Sequence, residues 1–231
     1  MWINLFFDLH VHESQELVDE VERLGYNGVL TFNHEEIKNK DYPDNLISLK
    51  NDSSFQIRRG LMIYSKNTAD LKRKIQKSRN EDVLIVYGGD LKINRSACEN
   101  PRVDIISHPY HGRRDCGINH VSARKAAENE VTVELNIRYL LRSRPQNRYK
   151  VLGHYREILK LQRKFKFPLI ITSGAHSIFE LHTPHDIIAL TNCFGMNEKE
   201  ASSALSETPR KIIERRDLGS NALVKGARII E

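Results

Sequence analysis

Short apolar runs alternate with amphipathic segments along most of the chain. Seven runs have the length and the β-branched or aromatic content of buried strands. These runs cover residues 3–9, 28–32, 55–64, 83–87, 104–107, 131–136 and 168–172. Five segments between them place apolar residues at helical spacing, over residues 13–24, 67–79, 91–99, 120–128 and 153–165. The pattern predicts seven strands that alternate with helices, including a βαβ unit over residues 104–136.

The C-terminal quarter is predicted to be helical. In the stretch 183–186, Thr183 is a suitable N-cap, Pro184 suits the first helical position and Asp186 suits the first turn. This helix should end near Gly195. A further helical segment covers residues 197–216, with Pro209 as a break or a new start. Two minor segments complete the pattern, an amphipathic piece at 42–49 and an apolar tail at 224–230.

Polar, potentially ligating side chains follow the predicted strands. They are Asp8, His10 and His12 at the first strand, His34 after the second, His108 after the fifth, Glu134 near the end of the sixth and His176 after the seventh. Alternation alone allows either a barrel or an open doubly wound sheet. Because barrel sites are built where parallel strands end, the side chains favour a TIM-like α/β barrel of about seven parallel strands with outer helices. Residues 1–231 are long enough to form it as a single domain.

Composition narrows the cellular context. The chain has 36 Lys+Arg and 30 Asp+Glu, a net charge of +6, which is compatible with a nucleic-acid partner but does not require one. Cys98, Cys116 and Cys193 are widely spaced and form no CxxC pair, so a disulfide framework is not expected. The N-terminus has no basic region before its apolar residues, so neither a signal peptide nor a membrane span is expected. These features predict a cytoplasmic protein without a membrane partner.

Residues 135–156 contain no acidic residue but many basic ones. Arginine makes bidentate contacts with phosphate, and the interleaved Tyr139 and Tyr149 offer rings that can stack on an unpaired base. The alternative is a solvated surface without a partner, which is common for a run of charged residues. The candidates for binding RNA or a protein partner are Arg138, Arg142, Arg144, Arg148 and Lys150, with Arg113 and Arg114 in the loop after His108.

Several motifs resemble those of known families. The stretches DLHVH at 8–12, TFNH at 31–34, SHP at 107–109 and SGAHS at 173–177 resemble the ordered metal-ligand motifs of the PHP (polymerase and histidinol phosphatase) superfamily. The longer stretches VDIISHP, DCGINHVSARKAAENEVTVELNIRYLLRS and PLIITSGAH resemble more closely the thirty-kilodalton subunit family of ribonuclease P, to which archaeal protein component 3 belongs. The resemblance extends over nearly the whole chain.

The resemblance implies a role in removing the 5′ leader from precursor tRNA. In such an enzyme the RNA component holds the active site and its Mg²⁺, so this chain would carry no catalytic residue, bind no cofactor of its own and be inactive alone. The implied partners are the ribonuclease P RNA, protein component 2 by direct contact, the other archaeal ribonuclease P proteins, and precursor tRNA as the substrate.

Two positions depart from the metal-enzyme motifs of the PHP superfamily. A glutamate follows a glycine on the third strand of active members, whereas this chain reads Gly60-Leu61-Met62, and Gly174 replaces the aspartate of a late Asp-x-His motif. A multi-metal hydrolytic centre needs anionic ligands, while histidines alone can hold a single zinc ion. Three possibilities therefore stay open: unrelated core or surface histidines, a silent pocket, and a metal-binding pocket. An independent PHP-type phosphoesterase is the alternative function. The pocket candidates are Asp8, His10, His12, His34, His108 and His176.

Overall fold

Seven parallel strands form the centre of the molecule. The computed structural model describes residues 5–34, 55–78, 83–220, 222–224 and 227–228, with side chains described over 5–32, 55–78 and 83–217. The strands are β1 (Phe7–His12), β2 (Gly28–His34), β3 (Gln56–Ile63), β4 (Val83–Tyr87), β5 (Ile105–Ser107), β6 (Thr132–Asn136) and β7 (Leu169–Thr172). Each strand pairs in parallel with the next one in the chain. This order confirms the predicted barrel, because a doubly wound sheet would reverse its strand order.

The first and last strands meet and nearly close the barrel. Val11 forms a parallel bridge with Ala175, and the backbone N–H of His12 donates to the carbonyl of Ala175 at 2.9 Å. The backbone N–H of Ser173 donates to the Asp8 carboxylate at 3.2 Å beside this bridge. The seam between β1 and β7 therefore depends on the residues at the C-terminal ends of both strands.

Helices surround the strands. They are α1 (Gln15–Arg23), α2 (Thr68–Lys77), α3 (Leu91–Cys98), α4 (His120–Glu128), α5 (Ile137–Leu141), α6 (Pro145–Phe165), α7 (Pro184–Thr191), α8 (Glu198–Leu205) and α9 (Glu207–Ser220). Side-chain caps define several starts: Asn67 begins α2, Asn119 begins α4, and Thr183 begins α7 as predicted, each accepting a backbone N–H of the first turn. Short 3₁₀ turns cover Ile178–Glu180 and Asn192–Phe194.

The core has two layers. Apolar residues between the strands and the outer helices form one large cluster, and a second cluster fills the barrel interior. Ile212 and Ile213 of α9 belong to the interior cluster, so α9 covers the N-terminal end of the barrel. Arg215 and Arg216 of the same helix both pair with the fully buried Asp104 just before β5. The N-terminal end is thus sealed, and the C-terminal end carries the polar side chains.

Three differences from the predicted elements matter for the site. Strand β1 (Phe7–His12) continues beyond its predicted end at residue 9, so His10 and His12 lie within the strand. Helix α6 begins at Pro145 rather than at 153, and the short helix α5 precedes it, so most of the basic stretch is helical. Segment 42–49 and much of 224–230 lie outside the described residues.

Candidate functional site

A buried carboxylate, Glu134 on β6, lies at the centre of the candidate site. Its Oε1 atom accepts hydrogen bonds from Nδ1 of His10 and from Oγ1 of Thr172, the latter at 2.5 Å. Its Oε2 atom accepts from the Ser107 hydroxyl. Burial raises the pKa of this carboxyl, but the charges of His10 and His108 and the hydrogen bonds outweigh burial and hold the pKa at about 2. Glu134 is therefore a permanent anion at neutral pH.

A bulge in β1 brings His10 to this carboxylate. Asp8 pairs with Val29 and Val11 pairs with Thr31, so two residues of β1, Leu9 and His10, lie opposite the single residue Leu30 of β2. Regular alternation would place Leu9 and His10 on opposite faces, yet Leu9 lies in the interior cluster and His10 reaches the interior carboxylate. The first strand was predicted to end at residue 9, whereas it ends at His12 because the bulge continues it through both histidines.

His108 lies directly after β5 and faces His10. Its φ of 50° is in the left-handed region, where few residues other than glycine are found. Nδ1 of His108 donates to the Ser107 hydroxyl at 2.5 Å, and that hydroxyl donates to Glu134. Burial lowers the pKa of His108 to about 4 despite the nearby carboxylate, so its imidazole is neutral at physiological pH.

The other two described histidines of the predicted pocket form a separate pair. The rings of His12 and His176 stack at a centroid distance of 5.2 Å, and the Phe32 ring contacts both His10 at 4.3 Å and His12 at 6.4 Å. Burial, together with the positive charge of Arg138, lowers the pKa of His176 to about 4. The structure therefore brings the predicted histidines together as two neighbouring pairs joined by an aromatic ring.

Asp8 does not join the histidine rings. Its carboxylate accepts the backbone N–H groups of Ser173 and His10, at 3.2 Å in each case. Burial raises the pKa of Asp8 to about 6, although these hydrogen bonds act in the opposite direction. The residue supports the seam between β1 and β7. The side chain of His34 lies outside the described residues.

The structure explains why carboxylates are absent at positions 62 and 174. Met62 is buried in the apolar interior cluster, so an apolar thioether occupies the position on β3 where a glutamate would stand. Gly174 has φ +65°, and a Cβ atom built on it would lie 2.2 Å from the Asn136 side chain. Because Asn136 donates to Glu134 and caps α5, it has little freedom to move away. The site has no space for an aspartate at 174.

The described residues do not fit a multi-metal centre. No group of three or more His, Cys, Asp or Glu side chains within the described ranges has an arrangement that could hold a metal ion. Nδ1 of His10 is bonded to Glu134, and Nδ1 of His108 is bonded to Ser107. The arrangement is a hydrogen-bonded polar core, which fixes four strand ends relative to one another.

Two of the predicted basic residues are anchored by a glutamate that the sequence analysis did not single out. Glu180 accepts Nε–H of Arg138 at 2.8 Å and Nε–H of Arg142 at 2.7 Å, and the backbone N–H of His176 at 2.9 Å. The Arg142 side chain is 67% exposed and that of Arg138 is 36% exposed. We call Glu180 with Arg138 and Arg142 the arginine clamp. It holds both guanidinium groups in place and leaves them accessible to solvent.

The other basic candidates lie near this clamp or in the loop after β5. Arg148 donates to the carbonyls of Leu141 and Ser143 at the end of α5, at 3.2 and 3.3 Å. Arg113 forms a two-point ion pair with Asp115 at 2.7 and 2.8 Å, which reduces its availability for phosphate. The remaining candidates, Arg144, Lys150 and Arg114, are exposed.

Aromatic rings pack around His108, which the sequence analysis did not anticipate. Tyr87 stacks on His108 at 5.2 Å and on Tyr64 at 4.8 Å. Tyr139 contacts His108 edge-on at 5.5 Å and Tyr110 at 5.0 Å. Of the two tyrosines in the basic stretch, Tyr139 is thus half-buried in the site, and Tyr149 is the exposed one. The rings come from four different strand ends, so no local sequence signal groups them.

Fold and site together define a parallel (β/α) barrel protein whose C-terminal end carries histidines around one buried, ionised carboxylate. None of the described helices is long and apolar enough to cross a membrane. The family model for the RNase P subunit p30 matches residues 5–221, and the chain belongs to this family.

Two relatives and one solved structure match this chain over nearly its full length. Ribonuclease P protein component 3 of Methanothermobacter thermautotrophicus is 46% identical, covering 97% of this chain and 95% of that protein. The protein of the same name from Methanococcoides burtonii is 39% identical, covering 98% and 94%. A chain in a cryo-EM structure of archaeal ribonuclease P with mature tRNA matches with a TM-score of 0.86 and 31% identity, covering 97% of this chain and 98% of that one.

Proposed function

We propose that this chain is a protein subunit of archaeal ribonuclease P and assists the catalytic RNA in endonucleolytic removal of the 5′ leader from precursor tRNA. The observation that carries the proposal is the full-length match to a chain of archaeal ribonuclease P, at a TM-score of 0.86. The proposal includes the ribonuclease P RNA and protein component 2 as direct partners, and action in the cytoplasm.

The proposed role is a non-catalytic one. Support comes from the buried thioether of Met62, the lack of space at Gly174 and the engagement of Glu134 by hydroxyl and imidazole donors. Phosphodiester hydrolysis with metals needs anionic ligands that hold cations close together. The carboxylates of Glu134 and Asp8 are instead engaged by hydrogen-bond donors, and no group of three or more described His, Cys, Asp or Glu side chains could hold a metal ion. The RNA component would supply the active site and its Mg²⁺.

The proposed RNA-binding surface consists of Arg138, Arg142, Arg144, Arg148 and Lys150, which we call the arginine surface. Its support is the clamp of Glu180, which holds two guanidinium groups in place without burying them. Ordered arginines lose less conformational entropy when they bind phosphate. Arg113 and Arg114 are the less favoured candidates, because Arg113 already pairs with Asp115.

Reconstitution tests the proposed function directly. Precursor-tRNA cleavage is measured with the ribonuclease P RNA and component 2, with and without this chain, over a range of Mg²⁺ concentrations. The expected result is faster cleavage at limiting Mg²⁺ when the chain is present. Equal rates at every Mg²⁺ concentration would contradict the proposal.

The alternative, an independent PHP-type phosphoesterase, is favoured by one observation, the grouping of His10, His12, His108 and His176 at the end of the barrel. The purified chain is assayed with a simple phosphodiester and added Mn²⁺ or Zn²⁺. Rapid hydrolysis that His12→Ala abolishes would support this alternative, and its absence would support a silent pocket.

A further inference from the structure

The 3₁₀ turn after β7 displays an aromatic side chain almost entirely in solvent. Phe179 is 88% exposed, the most exposed of the large hydrophobic residues whose side chains the structure describes. Both neighbours are held in place: Ile178 packs against the outer core cluster, and Glu180 is buried at the arginine clamp. The backbone N–H of Glu180 also donates to the Ser177 carbonyl at 3.0 Å. The turn thus presents an aromatic ring to solvent from a backbone that is anchored on both sides.

The residue that follows Phe179 holds two positively charged side chains. Glu180, the next residue in the chain, pairs with both Arg138 and Arg142, which places the backbone of Phe179 next to the residue that anchors these two arginines. A guanidinium group has five N–H donors, and each of these arginines uses its Nε–H for Glu180. Terminal donors are left for a phosphate. An exposed aromatic face next to ordered guanidinium groups is the combination that binds single-stranded nucleic acid.

We propose that Phe179 is a stacking platform for one unpaired RNA base whose flanking phosphate is held by Arg142 and Arg138. The proposal rests on the proposed function and deepens it by naming the unpaired nucleotide as the ligand. A nucleotide supplies a flat aromatic base and an anionic phosphate in one unit, whereas a protein segment would need two side chains for them. The arginines favour such an anion because residues 135–156 carry no acidic side chain and Glu180 is already engaged by both Arg138 and Arg142. The ligand must therefore bring both a flat face and negative charge.

The test uses the full chain and two RNA probes with the same number of phosphates, a hairpin with an unpaired loop and a blunt duplex. Stacking of one base on an aromatic ring is worth at least about 1 kcal/mol, so Phe179→Ala should weaken hairpin binding at least about five-fold. Duplex binding should not change. The slope of binding against salt should also stay the same, because the ring makes no ionic contact.

Substitutions at the same position separate stacking from general apolar contact. Phe179→Trp should retain hairpin binding, whereas Phe179→Leu should bind as weakly as Phe179→Ala. Leu5→Ala is the matched control, because Leu5 is 43% exposed and lies at the opposite, N-terminal end of the barrel. It should bind both probes like the wild type. In a chain that also carries Trp2→Phe, the fluorescence of Phe179→Trp should be quenched by the hairpin and not by the duplex.

The outcomes distinguish this inference from the proposed function. If the wild-type chain binds neither the ribonuclease P RNA nor the hairpin, both the proposed function and the stacking platform fail. If the wild type binds but Phe179→Ala binds the hairpin equally well, or loses duplex binding to the same extent, the stacking platform alone is wrong. Full affinity of Phe179→Leu would assign the ring to an aliphatic contact and also overturn the proposal.

Discussion

Glu134 on β6 accepts a hydrogen bond from the imidazole of His10 on β1, a residue 124 positions earlier in the chain. The two strands are not neighbours, because β7 lies between them at the seam of the barrel. The same carboxylate binds hydroxyl groups from β5 and β7, through Ser107 and Thr172. One buried anion therefore joins four strand ends, at the side of the barrel where β1 and β7 meet through the bridge between Val11 and Ala175.

Removal of this anion should destabilise the fold. We expect Glu134→Ala to lower the free energy of unfolding by about 3 kcal/mol, because four buried donors, on His10, Ser107, Thr172 and Asn136, lose their acceptor. Urea denaturation followed by circular dichroism measures the effect. Glu128→Ala is the control: this exposed residue pairs with Lys125, and its loss should cost less than about 0.5 kcal/mol. Equal stability of the two variants would show that the network does not hold the barrel together.

The sequence predicted the barrel better than it predicted the site. Apolar runs and helical spacing identify strands and helices because each element buries one face against the core. Glu134 lies inside such a run, and nothing in its local sequence shows that His10 and Ser107 would become its partners. The contact depends on the bulge in β1, which adds one residue without any glycine or proline to mark it.

The start of α6 could not be predicted from the sequence either. Residues 145–150 are exposed throughout, so they contain no apolar stripe from which a helix could be recognised. Pro145 at the first helical position was the available signal, and it is a weak one next to a run of charged and polar residues. The clamp of Arg138 and Arg142 by Glu180 joins residues about forty positions apart and has no local signature.

The depressed pKa of His108 gives a pH dependence with a defined sign. In the folded protein the pKa of His108 is about 4, against an ordinary value of 6.5 for histidine, so between these pH values the unfolded chain binds a proton that the folded chain does not. The stability associated with the neutral imidazole is present above pH 6.5 and is lost as the pH falls towards 4. At pH 5 this loss amounts to about 2 kcal/mol.

His108→Asn tests this dependence, because asparagine tolerates the left-handed backbone at this position. The variant should be less stable than the wild type at pH 7, and the difference should shrink by about 2 kcal/mol at pH 5. Urea denaturation at both pH values gives the comparison. His108→Gln, a second neutral replacement, should show the same change between the two pH values. A difference that stays constant in both variants would mean that the imidazole is not kept neutral by the fold.

Gly174 and Gly153 should respond in opposite directions to the same substitution. Gly174→Ala introduces a Cβ atom at φ +65° and 2.2 Å from the Asn136 side chain, so we expect a loss of about 2 kcal/mol or more in unfolding free energy. Gly153 lies in α6 with nothing within 4 Å of an added Cβ atom, so Gly153→Ala should stabilise the protein by about 0.5–1 kcal/mol. Thermal unfolding of both variants measures the signs. A neutral Gly174→Ala would mean that the position could accept the carboxylate of the metal enzymes after all.

The two ends of α6 provide a test of the arginine surface. Arg142 and Arg144 precede the helix, while Arg163 and Lys164 lie in its last turn. A helix of 21 residues is about 30 Å long, so the two pairs are well separated although they carry equal charge.

If the arginine surface binds phosphates, Arg142→Ala/Arg144→Ala should weaken binding to the ribonuclease P RNA. It should also reduce the slope of log affinity against log salt by about 0.7–0.9 for each lost phosphate contact. Arg163→Ala/Lys164→Ala removes the same charge and should leave that slope unchanged. Slopes reduced equally in the two double variants would show that net charge alone, rather than ordered arginines at the start of the helix, accounts for RNA binding. An unchanged slope in Arg142→Ala/Arg144→Ala would remove these residues from the interface.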